Sequence, residues 1–225
     1  MFELTSVFRV YGAGAQQSVA LHDVSLRVAR GEFVALSGPS GSGKTTLLNL
    51  VGGLDAPTSG RIAIDGRDLS RFTPSDLADF RLAKLGFVFQ QSALIPVLTA
   101  AENVELPLLF RKGLTAAERK RAVTAALDRV GLAAKSARRP AEMSGGEQQR
   151  VAVARAVAGN PEVVLADEPT ANLDHETGGA VVSLLRELNR ERGTTFLYAT
   201  HDPELVGLAG RVVTLRDGRI TEARP

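Results

Sequence analysis

The run Gly-Pro-Ser-Gly-Ser-Gly-Lys-Thr at residues 38–45 has the spacing of a phosphate-binding loop, G-x-x-x-x-G-K-[ST]. Its glycines allow backbone N–H groups to approach phosphate oxygens without Cβ clashes, and a helix beginning near Gly43 would direct its positive dipole end at the same place. Lys44 adds a positive charge for the β- and γ-phosphates, and Thr45 offers a hydroxyl to Mg²⁺. The loop therefore predicts binding of a nucleoside triphosphate.

The sequence on either side of the loop supports this prediction. Residues 31–37 are apolar and β-rich, as expected for a buried parallel strand, and residues 45–51 indicate the beginning of a helix. The required order of strand, loop and helix is therefore present. On its own, the loop is compatible with a kinase, a GTPase or a transporter ATPase.

Two adjacent carboxylates follow the apolar run at 163–166, namely Asp167 and Glu168, before Pro169 ends the pattern. Successive strand residues point to opposite sides, so neighbouring acids at a strand end can do different work. Asp167 is placed to hold Mg²⁺, directly or through water, and Glu168 to take a proton from an attacking water. The alternative is a pair of surface acids at a turn, which fits less well after a buried strand.

Ser144 and Glu147 form an S-x-x-E capping box, which predicts a helix that begins there and continues to about residue 158. Gly145 and Gly146 occupy its first turn, where glycine weakens a helix unless something must approach the backbone closely. A phosphate is the natural ligand of such a helix N-terminus. The alternative is an ordinary helix start.

The bulk composition restricts the class of protein. A chain of 225 residues with 44% apolar content can bury one core, or a core and a small subdomain, and its net charge of +2 gives no reason to expect a nucleic-acid partner. The absence of cysteine favours a reducing, cytosolic setting. We find neither a signal-peptide pattern nor an apolar run near the roughly 18 residues of a membrane span, so a membrane role would require a partner.

The periodicity of the chain predicts an α/β fold with a helical insert between about Asp68 and Met143. A T-x-x-E capping box at Thr115 predicts a helix with Val123 and Leu127 on its buried face. The early β-like runs suggest an antiparallel meander that leads into the loop. Strands are predicted at 2–10, 24–28, 33–37, 61–64, 86–90, 163–166 and 195–200, a helix at about 180–192, and a closing strand pair near Val212 and Ile220.

Together these motifs resemble those of ABC transporter ATP-binding subunits, over nearly the whole chain. The similar segments are 38–45 (Walker A), Gln90 (Q-loop), 143–149 (signature motif), 163–168 (Walker B with its catalytic glutamate), 171–174 (D-loop), His201 (switch histidine) and Tyr11 (adenine-stacking aromatic). The resemblance implies a P-loop NTPase of ABC type, with a mixed-sheet core, an N-terminal antiparallel β subdomain and a helical subdomain insert. One such domain would span 1–225, with the helical subdomain at about 90–160.

The resemblance also implies the residues of an ATP hydrolase. ATP would be bound by Tyr11, Gly38, Ser40, Gly41, Ser42, Gly43, Lys44, Thr45, Thr46, Ser144, Gly145, Gly146 and Asp174. Mg²⁺ would be held by Thr45, Gln90 and Asp167, and catalysis would fall to Glu168, His201 and Lys44. For Tyr11, core packing is the competing interpretation, and for Gln90 it is an ordinary polar strand end.

The family organisation implies a head-to-tail dimer around two ATP, formed with a second copy or a close paralogue. Ser144, Gly145 and Gly146 of one subunit would close over ATP held by the loop of the other, and closure would drive a membrane permease. The chain would then lie on the cytoplasmic side of the membrane, held there by the permease. The apolar segment 92–98, just after Gln90, is a candidate docking site, although packing within the insert explains it equally well.

One departure from the family pattern indicates which group of ABC transporter ATP-binding subunits this chain resembles. Glu147 replaces the usual glutamine of the signature motif and Met143 its usual leucine. A carboxylate aimed at a γ-phosphate would repel it, and the capping box predicts instead that Glu147 folds back onto the N–H of Ser144. Glutamate here, like segment 168–174, resembles the lipoprotein-release, macrolide-export and cell-division ATP-binding subunits.

Other functions are compatible with some of these features. A regulatory or mechanical module, which acts through a membrane partner on extracytoplasmic enzymes without moving a solute, would use the same motifs. A DNA-repair or translation ATPase would be expected to show a coiled-coil insertion, a second ATPase unit or a basic tail, and none is present in the sequence. A small-molecule kinase would not require the Ser144 motif.

Overall fold

A computed structural model describes residues 1–171 and 173–224, so Asn172 of the predicted D-loop lies outside the described residues. The strands within these ranges are Phe2–Tyr11 (β1), Ser18–Val28 (β2), Phe33–Ser37 (β3), Ser59–Ile64 (β4), Arg67–Asp68 (β5), Leu85–Val88 (β6), Val163–Asp167 (β7), Thr195–Ala199 (β8), Arg211–Arg216 (β9) and Arg219–Arg224 (β10). The α-helices are Lys44–Val51 (α1), Pro74–Lys84 (α2), Ala100–Leu109 (α3), Ala116–Arg129 (α4), Gly145–Val157 (α5), His175–Arg192 (α6) and Pro203–Gly207 (α7).

The larger sheet has six strands in the order β10-β9-β3-β8-β7-β6. All neighbours are parallel except β10 and β9, which form the closing antiparallel pair. Strand β3 is apolar and buried along almost its whole length, as expected for a central parallel strand covered on both faces. The predicted mixed-sheet core is confirmed.

The two faces of this sheet belong to two different hydrophobic cores, because alternate residues of a strand point to opposite sides. Val34 and Leu36 of β3 pack with α1 and with the smaller sheet. Phe33 and Ala35 of the same strand pack in the core that contains residues of helices α3 to α6. The carboxyl end of β3, where the phosphate-binding loop begins, is thus fixed from both sides.

The smaller sheet is antiparallel, with the order β2-β1-β4-β5, and confirms the predicted N-terminal β subdomain. The prediction of a meander that runs on into the loop was wrong in its third strand. Strand β3 lies in the larger sheet, and β1 pairs with β4 on its second edge. The physical reason is the burial of β3 on both faces, which a half-solvated meander strand does not provide.

The predicted insert between Asp68 and Met143 was also wrong as a continuous unit. Strand β6 lies inside that range and pairs with β7, with Leu85 opposite Val163. Leu85 and Val88 are buried in this position, so the chain returns to the larger sheet after α2. Helices α3, α4 and α5 follow β6 and pack on one another. They lie within residues 90–160, although the limits of the helical subdomain and of the whole domain remain predictions.

Capping residues explain where several helices begin. Thr115 caps α4 and exchanges hydrogen bonds with Glu118, as the sequence predicts. Helix α6 begins at 175, earlier than predicted, because Asp174 accepts a hydrogen bond from the N–H of Thr177 over 2.9 Å. No helix in the ranges 1–171 and 173–224 is long and apolar enough to cross a membrane.

Candidate active site

The phosphate-binding loop lies between β3 and α1, the arrangement that the sequence predicts. Gly43 is the N-cap of α1 and has a φ of 102°. A Cβ at this position would lie 2.6 Å from the carbonyl oxygen of Ala20, so glycine is required both for the backbone angle and for the close approach. The predicted ligand residues Gly38, Ser40 and Gly41 precede this cap in the same loop.

Lys44 and Ser42 give this loop the polar character of an anion cradle. Lys44 is only 7% exposed, and its Nζ donates hydrogen bonds to the carbonyl oxygens of Gly38 at 2.8 Å and Pro39 at 3.0 Å. The hydroxyl of Ser42 is buried and has no hydrogen-bond partner among the described residues. A buried cation and an unsatisfied hydroxyl in one loop fit a phosphate ligand.

Thr45 connects the loop to the end of β7. Its hydroxyl donates a hydrogen bond to Oδ2 of Asp167 over 2.7 Å. Burial raises the pKa of Asp167 and the neighbouring Glu168 raises it further, whereas Thr45 and Lys44 act in the opposite direction. The hydroxyl and the carboxylate are the hard oxygen ligands that Mg²⁺ prefers.

The described residues contain no cluster of three or more His, Cys, Asp and Glu side chains that could hold a metal ion by themselves. Gln90, the third predicted Mg²⁺ ligand, is exposed two residues beyond the end of β6.

Glu168 and His201 form the second pair of the site. Glu168 has a φ of 46°, and its N–H donates to the carbonyl oxygen of Ala199 over 3.0 Å. Oε1 of Glu168 lies 2.8 Å from Nδ1 of His201, so the ring N–H can donate to the carboxylate. The Glu168 side chain is 12% exposed and that of His201 is 70% exposed. This carboxylate is therefore largely sheltered and lies beside a ring that a ligand can reach.

The signature segment begins α5. Ser144 is the N-cap, and its N–H donates to Oε2 of Glu147 over 3.0 Å, so the predicted fold-back of Glu147 is confirmed. A Cβ on Gly145 would meet nothing within 4 Å, so this backbone is open to a ligand or a second chain. A Cβ on Gly146 would lie 3.1 Å from Leu173, which places the signature segment beside the D-loop.

The carboxylate of Glu147 has a second partner that the sequence did not indicate. The Nζ of Lys135 forms an ion pair with Oε1 of Glu147. This hydrogen bond and the one from Ser144 lower the pKa of Glu147, which is therefore ionised at neutral pH. No local pattern reveals the pair, because Lys135 belongs to a separate short 3₁₀ turn, Ala133–Lys135.

Tyr11 lies at the end of β1 and is 39% exposed, so it is not the packed core residue of the competing interpretation. Its hydroxyl donates to Asp55 over 2.8 Å, and the guanidinium of Arg9 lies 4.4 Å from the centre of its ring. Arg9 also forms a 2.8 Å ion pair with Asp55. The ring is thus fixed by two neighbours while part of it stays open to solvent.

Helix α5 also holds the segments on both sides of Gln90. The side-chain amide of Gln149 donates to the carbonyl oxygen of Phe89 over 3.0 Å. Arg155 donates to the carbonyl oxygens of Ser92 and Ala93 over 2.8 and 2.7 Å. Sequence reasoning missed both residues, although a polar Gln149 on the buried face of α5 was a signal that could have been noticed.

The structure thus assembles two groups of predicted residues. The first contains the loop, Thr46 on α1, and the pairs formed by Thr45 with Asp167 and by Glu168 with His201. The second contains Ser144, Gly145 and Gly146 at the start of α5, beside Leu173, with the exposed Asp174 as the cap of α6. The phosphate-binding loop follows β3, and the two adjacent acids lie at the end of β7, which is separated from β3 by one parallel strand. Together with the separate glycine-rich start of α5, this arrangement defines a P-loop ATPase of the cassette type.

Comparisons with known proteins identify the family. Residues 21–171, more than half of the chain, match the ABC transporter family. The lipoprotein-releasing system ATP-binding protein LolD of Anaeromyxobacter dehalogenans is 48% identical over 223 residues, which cover 99% of this chain and 93% of LolD. The ABC transporter ATP-binding protein YtrE of Bacillus subtilis is 50% identical over 212 residues, covering 94% and 91%.

Solved structures agree with the sequence relatives. The dimeric post-hydrolysis structure of the ATP-binding cassette MJ0796, bound to ADP and Pi, superposes with a TM-score of 0.95 at 43% identity and covers 100% of this chain and 98% of that one. The chain belongs to the ABC transporter family and is one of its ATPase cassettes. The predicted family, fold class and ATPase class are confirmed.

Proposed function

We propose that this chain is the ATP-hydrolysing subunit of a membrane complex, in which two copies close head to tail around two ATP molecules and drive a permease of the export or lipoprotein-release type. The observation that carries the proposal is that the adjacent acids at the end of β7, Asp167 and Glu168, have different partners. Asp167 is bonded to the loop through Thr45, and Glu168 is bonded to His201. These separate contacts support a role for Asp167 at the metal and for Glu168 at the attacking water.

The residues of the loop fit ATP. The ammonium of Lys44 donates to two carbonyl oxygens of the loop, and a bound phosphate can replace them as its acceptor. The N–H groups at the beginning of α1 and the buried hydroxyl of Ser42 would donate to phosphate oxygens. Tyr11 would stack on the adenine ring, for which its exposed fraction leaves room.

The residues around Asp167 fit Mg²⁺, which would neutralise charge on the phosphates when it is bound with ATP. Thr45 and Asp167 would hold the ion, with Gln90 as a further oxygen ligand. Glu168 would orient and deprotonate the attacking water, and His201 would hold the Glu168 carboxylate in place and contact the γ-phosphate. Lys44 and His201 would also stabilise charge that develops on the phosphate during hydrolysis.

A head-to-tail dimer explains why the signature segment is open. The first-turn backbone at Gly145 faces free space, and a helix N-terminus is a natural phosphate site. Ser144, Gly145 and Gly146, together with Asp174, would therefore complete the site of the opposite subunit. The dimeric state of the MJ0796 cassette supports this arrangement.

The surface after Gln90 supports a permease partner. A cavity of about 430 Å³ lies between α2, the end of α3 and β6, and Phe89 and Phe110 are among its lining residues. Phe89 and Phe110 of this lining are 37% and 67% exposed, Leu109 beside Phe110 in the chain is 53% exposed, and Val97 in segment 92–98 is 71% exposed. Large apolar side chains thus stay uncovered at both segments, which favours a partner. We propose that this surface, broader than segment 92–98 alone, receives a cytoplasmic helix of the permease. The chain would then lie on the cytoplasmic side of the membrane.

The test is affinity capture of the Glu168→Gln form from detergent-solubilised membranes of the source cell with ATP and Mg²⁺. A matched bait carries Val97→Glu and Phe110→Glu in addition. We expect a multi-span membrane protein with the first bait and its loss with the second. The extracytoplasmic part of that protein separates export or lipoprotein release from regulation of extracytoplasmic enzymes. Recovery of no membrane protein, with the ATP-dependent dimer intact, would contradict the coupling to a permease.

A further inference from the structure

Glu147 presents an electrostatic problem at the start of α5. It is the third residue of the helix, directly behind Gly145 and Gly146. In the proposed dimer this helix start meets the γ-phosphate of ATP on the opposite subunit. Two negative charges a few ångströms apart repel each other strongly where water is excluded. An uncompensated carboxylate would therefore oppose the closure that the site requires.

The structure shows how this charge is engaged. Both carboxylate oxygens of Glu147 have a partner, since Oε2 accepts from the N–H of Ser144 over 3.0 Å and Oε1 pairs with Nζ of Lys135. The Glu147 side chain is 13% exposed and that of Lys135 is 37% exposed. The carboxylate end of the pair is sheltered, whereas the lysine end is open enough to solvent for high salt to weaken the pair.

Lys135 is carried by a backbone that is itself anchored. Its N–H donates to the carbonyl oxygen of Leu132 over 2.9 Å, and Leu132 is 1% exposed in the core. One residue further, the carbonyl oxygen of Ser136 accepts from the N–H of Ala101 at the start of α3, also over 2.9 Å. The ammonium is therefore delivered to Glu147 from a fixed turn.

We propose that Lys135 is a positioning residue of the ATP site that two subunits share. It holds the Glu147 carboxylate away from the first-turn N–H groups of α5 and balances its negative charge. The start of α5 can then accept the terminal phosphate of a nucleoside triphosphate. The inference rests on the proposed function and extends it. Lys135 acts through Glu147 and need not touch the nucleotide. It explains how this chain tolerates glutamate at a position where the family commonly has glutamine.

The test measures ATP-dependent dimerisation, with the Glu168→Gln chain as the non-hydrolysing parent. Sedimentation in ATP and Mg²⁺ at low ionic strength gives the dimer dissociation constant of the parent and of four further variants, Lys135→Ala, Lys135→Arg, Glu147→Gln and the pair Lys135→Ala with Glu147→Gln. Lys120→Ala removes an equal charge from an exposed position on α4 and serves as the control. Binding of a fluorescent ATP analogue to dilute monomer reports the phosphate-binding loop separately.

We expect Lys135→Ala to raise the dimer dissociation constant about tenfold, since each dimer contains two such sites and a charge at a helix end changes an equilibrium several-fold. The effect should shrink at about 1 M salt, where the Debye length falls to about 3 Å. Lys135→Arg should behave as the parent, and the double variant should return to the level of Glu147→Gln. Nucleotide binding to the monomer should not change in any of them.

Two results would overturn the inference. One is a dissociation constant for Lys135→Ala within twofold of the parent. The other is an equal loss from Lys135→Ala in the parent and in the Glu147→Gln background, which would show that Lys135 only supports the fold. If the parent itself binds ATP and stays monomeric at all concentrations, the head-to-tail site is wrong and the inference is overturned together with the proposed function.

Discussion

Nδ1 of His201 lies 2.8 Å from Oε1 of Glu168, although the two residues are 33 positions apart in the chain. Strands β7 and β8 are parallel neighbours, with Asp167 opposite Ala199, so their carboxyl ends deliver both side chains to the same edge of the sheet. The same register leaves Asp167 free to face Thr45 on α1. The topology of the sheet thus separates the two acids, so that Asp167 faces the phosphate-binding loop and Glu168 faces His201.

Glu168→Gln should lower the turnover of ATP by about 10²- to 10⁴-fold, because an amide cannot accept the proton of the attacking water. ATP binding should be retained, since the loop does not depend on this carboxylate. Single-turnover hydrolysis and equilibrium binding of a fluorescent ATP analogue measure the two quantities. A turnover rate within twofold of that of the unmodified chain would show that Glu168 is not the general base.

His201→Ala should lower turnover by about 10²-fold, since it removes the partner that orients Glu168 and a contact to the transferred phosphate. The affinity for ATP should change much less, because the hydrogen bond of the ring goes to Glu168 and not to the loop. His201→Gln, which can still donate to the carboxylate, is the matched control and should retain more activity. Equal rates for both variants would show that the hydrogen bond to Glu168 does not contribute.

Asp167→Asn should stabilise the protein in the absence of nucleotide. Burial and Glu168 raise the pKa of Asp167, so the folded state binds this proton more tightly than the unfolded state. The unmodified protein therefore loses stability as pH rises from the pKa of Asp167 in the unfolded state to its higher pKa in the folded state. At neutral pH its free energy of unfolding is lower than in acid by this contribution. Asparagine does not ionise, so the variant avoids this loss of stability.

We therefore expect a higher Tm for Asp167→Asn than for the unmodified protein at pH 7. The difference between the two proteins should disappear in acid, where Asp167 is protonated. Added ATP and Mg²⁺ should stabilise the unmodified protein and have little effect on the variant. Calorimetry at several pH values, with and without ATP and Mg²⁺, measures these differences in Tm. A lower Tm for Asp167→Asn than for the unmodified protein at pH 7 would contradict the predicted direction of the change.

Glu147→Gln should retain ATPase activity within tenfold of the unmodified chain. The Glu147 carboxylate is already turned onto the N–H of Ser144 and paired with Lys135, so its charge is not directed at the ligand. Steady-state hydrolysis across a range of protein concentrations, which separates turnover from dimer formation, is the measurement. A loss of more than tenfold would mean that the carboxylate itself takes part in the site.

Much of the fold could be predicted from local sequence. The phosphate-binding loop, the capping boxes at Thr115 and Ser144, and the apolar run before Asp167 each have a pattern within a few residues. These patterns reflect local physical requirements, such as φ at Gly43 or hydrogen bonds at a helix start. They located the main elements of the candidate site before any tertiary contact was known.

Features that depend on long-range packing were missed or misplaced. Residues 31–37 have the apolar pattern of a buried parallel strand, which the structure confirms, and only the order of the early β-like runs suggested that they continue the antiparallel meander. The sequence predicts a strand at 86–90, but only the pairing of β6 with β7, where Leu85 and Val88 are buried, shows that it belongs to the larger sheet and interrupts the predicted helical insert. The contacts of Lys135 with Glu147 and of Arg155 with Ala93 join separate turns, and no periodicity encodes such pairs.

The central claim is that two chains share each ATP site, and the molar mass of the Glu168→Gln chain tests it most directly. Light scattering should give 23.8 kDa without nucleotide and about twice that mass with ATP and Mg²⁺. Adding Ser144→Arg, which fills the open start of α5, should keep the protein monomeric while the monomer still binds ATP. A dimer that forms equally well with Ser144→Arg, or a monomer that persists at saturating ATP, would contradict the account.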